Sequence, residues 1–124
     1  MTAPVRIQLR RTKGWRMPAN TVRVSRPGPY GNPYFVERQS GQLWDPVTST
    51  WTERWEMRCR HWVRGTIYPT KRLASEKAVA LFASEVAPFL RVDDLAGKNL
   101  ACWCALDQPC HADVLLELAN GDPA

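Results

Sequence analysis

The sequence predicts a small single domain that mixes α-helices and β-strands, and three observations lead to this fold class. The chain has 124 residues, which is enough for one hydrophobic core and too few for two. Two segments near its start alternate apolar and polar side chains, as half-buried strands do, and later segments carry apolar side chains at helical spacing. We therefore expect an α/β or α+β domain, with a small sheet and two or three packed helices.

Two strands are predicted in the first quarter of the chain. Apolar and polar side chains alternate over residues 5–10 and again over residues 21–26. The segment that follows, PGPYGNPY, contains three prolines and two glycines, which exclude a helix and favour a fixed loop. Residues 37–52 then carry turn signals that predict a small hairpin with Trp44 and Trp51.

Three helices and one further strand are predicted in the rest of the chain. The first helix covers residues 52–64, and the second covers residues 72–90 with a proline that kinks or shortens it. A short strand follows at residues 99–103. The last helix begins at Asp107–Pro109, with an N-cap residue and a proline in its first turn, and ends at Asn120–Gly121.

The positive charge of the chain is concentrated near its start. The formal net charge is +5, and residues 1–36 contain seven arginines and lysines and no carboxylate. Such a segment attracts polyanions, above all nucleic acid and nucleotide phosphates. A solvated basic edge without a specific partner is equally compatible with this pattern.

The sequence gives no sign of export or of membrane binding. No apolar run is long enough to span a bilayer, and the N-terminus lacks the apolar region of a secretion signal. We therefore expect a soluble cytoplasmic protein with a single domain over residues 1–124. Within it, residues 1–20 form a basic segment that is partly strand, and residues 120–124 form a flexible tail.

A cluster near the end of the chain holds three of the four cysteines and one of the two histidines. Without a secretion signal, such a cluster favours free thiols or metal ligands over disulfides. On a strand, Cys102 and Cys104 project from the same face, and Cys110 and His111 follow at the start of the last helix. Because zinc prefers thiolate and imidazole ligands, these four residues are candidate zinc ligands.

Two objections weaken the zinc interpretation. The spacing C-x-C-x5-C-H departs from the usual zinc-finger patterns, in which paired ligands are two to four residues apart. Adjacent residues also diverge by about 100° around a helix. Cys110 and His111 therefore reach one ion only if the helix begins after them.

Two other interpretations of the cluster stay open. Cys110 lies near a helix N-terminus, which lowers the pKa of a thiol, so that Cys110 could act as a nucleophile with His111 and Asp113 as proton carriers. Alternatively, the thiols are small buried apolar groups that pack a strand against a helix.

The loop rich in glycine and proline is the second candidate site. It combines arginines, a hydroxyl, an amide and glycines where a strand ends, which suits a phosphate or a carboxylate. The motif is neither a P-loop nor a dinucleotide fingerprint, and a rigid turn with a purely structural role is the alternative. If both motifs lie at one edge of the sheet, they share one cleft. The candidate ligand-binding residues are Arg23, Ser25, Arg26, Gly31 and Asn32.

The pairing of RVSRPGPYGNPY with GKNLACWCALDQPCHADVLLELAN resembles a family of small proteins of unknown function found in bacteria and bacteriophages. The resemblance implies a single domain and supplies no reaction. It draws attention to Arg26, Gly31, Asn32 and Pro33 in the first motif and to Gly97, Cys102, Cys104, Cys110, His111 and Asp113 in the second.

These observations favour a pocket for a nucleotide or a nucleic-acid component, in a small enzyme of nucleotide or nucleic-acid metabolism. The residues leave its reaction open. A zinc deaminase is disfavoured because Pro109–Cys110 is not followed by the second cysteine that this chemistry requires. The alternative is a non-catalytic, zinc-stabilised accessory module that binds nucleic acid through the basic N-terminal segment and Trp15.

Overall fold

The computed structural model describes residues 3–121. In this part of the chain, six β-strands form two separate three-stranded sheets, and two α-helices and three shorter helical turns accompany them. The mixed α/β class is confirmed, although the strands divide between two sheets. No helix in the described range is long and apolar enough to cross a membrane.

The first sheet is parallel, and its central strand comes from near the end of the chain. Strand β6 (Asn99–Cys102) lies between β1 (Arg6–Gln8) and β2 (Thr21–Arg23). The three predicted strands are confirmed, and each is shorter than expected. Because parallel strands end at the same edge, the loops after β2 and β6 leave the sheet side by side. The first sequence motif runs through the loop after β2, and the second runs from β6 through the loop after it into the last helix.

The second sheet is antiparallel and is built on a long hairpin. Strands β3 (Phe35–Asp45) and β4 (Thr50–Arg58) form the hairpin, and β5 (Thr66–Tyr68) pairs with the other side of β4. Trp44 pairs with Trp51 across the hairpin, and their ring centroids are 5.3 Å apart. The predicted Trp44–Trp51 hairpin is therefore confirmed.

The predicted helix over residues 52–64 is wrong, because most of that stretch belongs to β4 and the turn after it. Its apolar side chains also fit a period of two, since Trp55, Met57 and Cys59 alternate with polar neighbours. Pairing of β4 on both sides favours the strand, and such tertiary context overrides helical spacing. Gly65 allows the next turn to approach β4, because a Cβ there would overlap the carbonyl oxygen of Met57.

The predicted helix over residues 72–90 is present, in three successive forms. It consists of α1 (Lys71–Leu81), a π-helical turn (Phe82–Val86) and a 3-10 turn (Ala87–Phe89). Pro88 lies in the first turn of the 3-10 segment. At that position its missing N–H costs no internal hydrogen bond, so the proline does not break the helix.

Helix α2 (His111–Asn120) begins later than predicted. Its N-cap residue is Cys110, with extended backbone angles of φ −148° and ψ 140°, so the predicted start at Asp107–Pro109 is wrong. Three carbonyl groups in the preceding loop accept hydrogen bonds from a distant arginine side chain, which holds that loop in a non-helical form. The predicted end at Asn120–Gly121 is confirmed. Residues 122–124 of the predicted tail lie outside the described range.

Two buried clusters form the core. The larger one packs β6 against α2 and the π-helical turn, and Phe82, Leu100 and Leu115 are fully buried in it. Each such side chain stabilises the fold by about 1.5–3 kcal/mol. Cys102 and Cys110 belong to the same cluster, so a well-packed core surrounds their thiols. The smaller cluster lies between α1 and β4.

Candidate metal centre and ligand cavity

The predicted metal ligands come together where the parallel sheet meets the start of α2. Cys102 ends β6, and the potential ligand atoms of Cys102, Cys110 and His111 all lie within 4.8 Å of one another. These three residues are buried. Cys104 is half-buried beside them, and its Sγ lies 3.7 Å from the Sγ of Cys102. We call these four residues the Cys/His cluster.

The start of α2 lets two adjacent residues serve one centre. Cys110 has an extended backbone, and His111 is the first helical residue. The angular divergence of neighbours within a helix therefore does not apply to them. The Sγ of Cys110 lies 3.9 Å from the Nδ1 of His111. This geometry removes the second objection to a metal site.

The imidazole of His111 is oriented by a backbone carbonyl group. Its Nε2 lies 2.7 Å from the carbonyl oxygen of Val24. Because a carbonyl oxygen only accepts hydrogen bonds, Nε2 is the protonated nitrogen, and in the neutral ring Nδ1 keeps its lone pair on the side of Cys110. The ring of Phe82 packs edge to face on the imidazole at 5.0 Å. Histidine ligands of metals commonly have such a carbonyl partner on the other nitrogen.

The groups of the cluster shift one another's pKa values. Hydrogen bonds from Cys104 and Cys110 lower the pKa of the Cys102 thiol far below its ordinary value. The interaction with Cys102 raises the pKa of Cys104. Burial alone would lower the pKa of His111, but its interactions with Cys102 and Cys110 raise it to about 10. The cluster therefore favours a thiolate at Cys102, which is the form that binds metals.

Two distances within the cluster are close to those around a tetrahedral zinc ion. Zinc bonds of about 2.3 Å to sulfur and about 2.0 Å to nitrogen place two ligand sulfurs about 3.8 Å apart, and a sulfur and a nitrogen about 3.5 Å apart. The Cys102–Cys104 separation of 3.7 Å meets this value. The Cys110–His111 separation of 3.9 Å needs only a small contraction.

Arg6 holds the loop that joins the two halves of the cluster. Its side chain is 8% exposed, and its guanidinium donates hydrogen bonds to the carbonyl groups of Gln108, at 3.0 Å, and of Ala105 and Leu106. Its Nε also lies 3.6 Å from the Oδ1 of Asp113. In the sequence, Arg6 is only one of the seven basic residues in the first 36. The register of β1 beside β6, which the sequence does not show, brings it to this loop.

A cavity of about 330 Å³ joins the Cys/His cluster to the arginine loop. The sequence motifs thus share one cleft, as the sequence analysis anticipated for strands that end at one edge. Helix α1 closes the cavity from the side. The lining residues are Ser25, Arg26, Asn32, Tyr34, Ser75, Val79, Cys102, Trp103, Cys104, Pro109, Cys110 and His111.

Some of the predicted ligand-binding residues instead support the loop. The side-chain amide of Asn32 is buried, donates from Nδ2 to the carbonyl oxygen of Ala78, and accepts from the backbone N–H of Tyr34. Gly31 leaves room for Arg26, because a Cβ at position 31 would lie 2.6 Å from the Cγ of that arginine. Asn32 therefore fastens the loop to α1, and Gly31 lets Arg26 pack beside it.

The remaining predicted residues differ in how they face the cavity. Ser25 and Arg26 line it. Arg23 is not among the lining residues, and it donates a hydrogen bond from Nε to the Oγ of Ser25 at 2.7 Å. The carboxylate of Asp113 is 58% exposed and contacts Arg6. The structure thus gives Asp113 a role in holding the loop, and its predicted role as a proton carrier stays untested.

Residues 7–121 match the sequence profile of a protein family described as a domain of unknown function, DUF4326. Comparison with curated proteins and with solved structures finds no match. The family description agrees with the resemblance seen in the two sequence motifs. Because it assigns no activity, any functional conclusion depends on the geometry of the site.

Proposed function

The chain belongs to the DUF4326 family, and from its site we propose that it is a binding domain with a zinc centre and a phosphate-binding cavity. The zinc ligands are the four residues of the Cys/His cluster. The ligand lies in the cavity above them, with its anionic group at Ser25 and Arg26. The observation that carries the proposal is that one cavity is lined by both groups of residues.

Three features of the cluster support zinc. Its donor set of three thiols and one imidazole is a common set for structural zinc sites. Three of its members are buried, which protects thiolates from oxidation and exchange. The carbonyl group of Val24 orients His111 through the nitrogen that does not face the thiols. These features match a centre that stabilises the fold.

A centre with four protein ligands argues for binding over metal-assisted catalysis. Catalytic zinc ions keep one position open for water or substrate, whereas structural zinc ions have four protein ligands. We assign the fourth position to Cys104, whose Sγ lies 3.7 Å from the Sγ of Cys102, next to the three residues whose ligand atoms all lie within 4.8 Å of one another. We therefore favour a binding domain over the enzyme that the sequence analysis put first.

The chemistry of the loop supports a phosphate-bearing ligand. Arg26 has no ion-pair partner among the described residues, and no carboxylate group from that range lines the cavity. The hydroxyl of Ser25 accepts a hydrogen bond from Arg23, which leaves its own proton to donate to a ligand oxygen. A forked guanidinium and a hydroxyl suit the oxygens of a phosphate.

The shape of the cavity supports a nucleotide as that ligand. Its volume of about 330 Å³ is within the range of small-molecule sites, although at the lower end. Tyr34, Val79 and Trp103 add aromatic and apolar surface to the polar groups. A flat base can pack on such a surface while its phosphate reaches Arg26.

The zinc centre is tested by metal analysis of the purified protein and by thiol titration. We expect about one zinc ion per chain and cluster thiols that react only after a chelator removes the metal. Cys110→Ser should lose the zinc. Cys59→Ala is the matched control, since Cys59 is also buried but lies outside the cluster, and it should keep the zinc. Protein without zinc, or zinc retained by Cys110→Ser, would contradict the proposal.

The ligand cavity is tested by calorimetric titration with AMP, ATP and inorganic phosphate. Arg26→Ala should weaken binding of the nucleotide by about 10- to 100-fold, because hydrogen bonds to charged groups contribute about 1.5–3 kcal/mol. The control is Arg91→Ala, since Arg91 is exposed and is not among the residues that line this cavity. The proposal fails if no nucleotide binds or if Arg26→Ala binds as the parent does.

A further inference from the structure

A second cavity lies on the other side of Arg26. It has a volume of about 260 Å³ and is lined by Arg26, Gly28, Gly31, Pro33, Cys59, Arg60 and His61. A surface depression next to it is formed by Arg26, Pro27 and Arg60. Arg26 therefore belongs to the phosphate-binding cavity described above and also to this second, separate cavity.

The second cavity is cationic and unneutralised. In the described range, neither Arg26 nor Arg60 has a carboxylate at ion-pair distance. Nearby Arg58 differs from both, because it forms ion pairs with Glu37 and Glu56. Two arginines without an ion-pair partner in the described range and His61 thus line one space, and the guanidinium of Arg26 also packs over the ring of Phe35. Such a concentration of positive charge attracts a partner with more than one anionic group.

A partly exposed aromatic side chain belongs to the first cavity. The residue Trp103 is 38% exposed and lines that cavity. The guanidinium groups of Arg11 and Arg23 lie 4.9 Å and 5.9 Å from the centroid of its ring. A base can stack on an exposed indole ring in place of such a guanidinium group, and the displaced arginine can then contact a phosphate.

The two cavities share Arg26, and we propose that together with Trp103 they bind a single-stranded oligonucleotide. One base stacks on Trp103, one phosphate lies at Arg26, and a neighbouring phosphate lies at Arg60 and His61. The inference rests on the proposed function, since both use Arg26, and it narrows the ligand class to a strand with at least two phosphates. A mononucleotide would leave the second cavity unneutralised, and a duplex hides the base faces that stacking needs.

The test compares ligands of different length by fluorescence anisotropy and calorimetry at several salt concentrations. The probes are a mononucleotide, single strands of DNA and RNA of about eight nucleotides, and a DNA duplex of the same length. We expect one or both single strands to bind more tightly than the mononucleotide and the duplex. Binding of the strands should weaken steeply with salt, because each phosphate contact releases counterions.

Substitutions distinguish the contributions of the two cavities to ligand binding. Arg60→Ala should weaken binding of the single strand by about tenfold or more and reduce the salt slope by about one, while binding of the mononucleotide stays unchanged. Arg26→Ala should weaken both ligands, and Arg91→Ala should weaken neither. The inference is overturned if Arg60→Ala leaves strand binding unchanged, or if the duplex or the mononucleotide binds as tightly as the strand. If the mononucleotide still depends on Arg26 in that case, the proposed function survives.

Discussion

Arg6→Ala tests how the loop between the two halves of the Cys/His cluster is held. The guanidinium donates hydrogen bonds to the carbonyl groups of Ala105 and Gln108 in a partly buried setting. Hydrogen bonds to charged groups contribute about 1.5–3 kcal/mol each, and the lower value applies where water can replace the donor. The more exposed bond to Leu106 and the ion pair with half-exposed Asp113 add less than about 1 kcal/mol. We therefore expect Arg6→Ala to lower the free energy of unfolding by about 3–4 kcal/mol.

Urea unfolding of the purified protein measures this effect. With a denaturant slope of about 2 kcal/mol per molar urea, the midpoint should fall by about 1.5–2 M. Arg6→Lys should recover only part of the loss, because an ammonium group cannot reach several carbonyl groups in the way that a planar guanidinium does. The control is Arg91→Ala, whose ion pair with Asp93 is exposed, so the change should stay below about 0.5 kcal/mol.

One result would refute this reasoning. If Arg6→Ala unfolds at the same urea concentration as Arg91→Ala, the guanidinium does not hold the loop. A large loss of stability with unchanged zinc affinity would show that the loop positions Cys104 and Cys110 by other contacts. We expect both quantities to fall together, because the loop that Arg6 holds joins these two cysteines directly.

Three further experiments test the loop and the hairpin. Asn32→Asp removes a hydrogen-bond donor to a carbonyl group of α1 and buries a charge. We expect the free energy of unfolding, measured by thermal unfolding, to fall by about 2–3 kcal/mol. An unchanged melting temperature would contradict this expectation. Gly31→Ala should cost about 1–3 kcal/mol in denaturant unfolding, and the cost should shrink in an Arg26→Ala background, which removes the crowded Cγ. A double-mutant cycle of Trp44→Ala and Trp51→Ala should give a coupling energy of about 0.5–1.5 kcal/mol, and additive losses would show that the edge-to-face contact is unimportant.

Local patterns in the sequence predicted the parallel sheet well and the second sheet poorly. The strands β1, β2 and β6 are short and carry clear alternation or dense apolar character, and each was placed correctly. Residues 52–64 satisfy a helical period and a period of two at once, because tryptophans and arginines recur at mixed spacing. Pairing with β3 and β5 decides between the two, and that pairing joins residues far apart in the sequence.

The residues of the Cys/His cluster could be predicted from the sequence, whereas the contacts that hold them in place could not. Residue type and proximity along the chain pointed to Cys102, Cys104, Cys110 and His111. The contacts that make them a centre come from elsewhere: Arg6 is separated from the loop carbonyls by about a hundred residues, and Val24 is 87 residues from His111. Such contacts follow from strand order in the parallel sheet, which a single sequence does not specify.

The unusual spacing of the cluster follows from the elements that carry it. Zinc-finger spacing rules describe ligands held in pairs by tight turns. Here one candidate ligand ends a strand, one lies in the loop after it, one is an N-cap residue, and one opens a helix. An N-cap residue has an extended backbone, so Cys110 at that position can place its thiol beside the imidazole of His111, the first helical residue. If α2 began at Asp107, Cys110 and His111 would both lie within the helix, and their side chains would diverge by about 100° around its axis. The cluster would then not form.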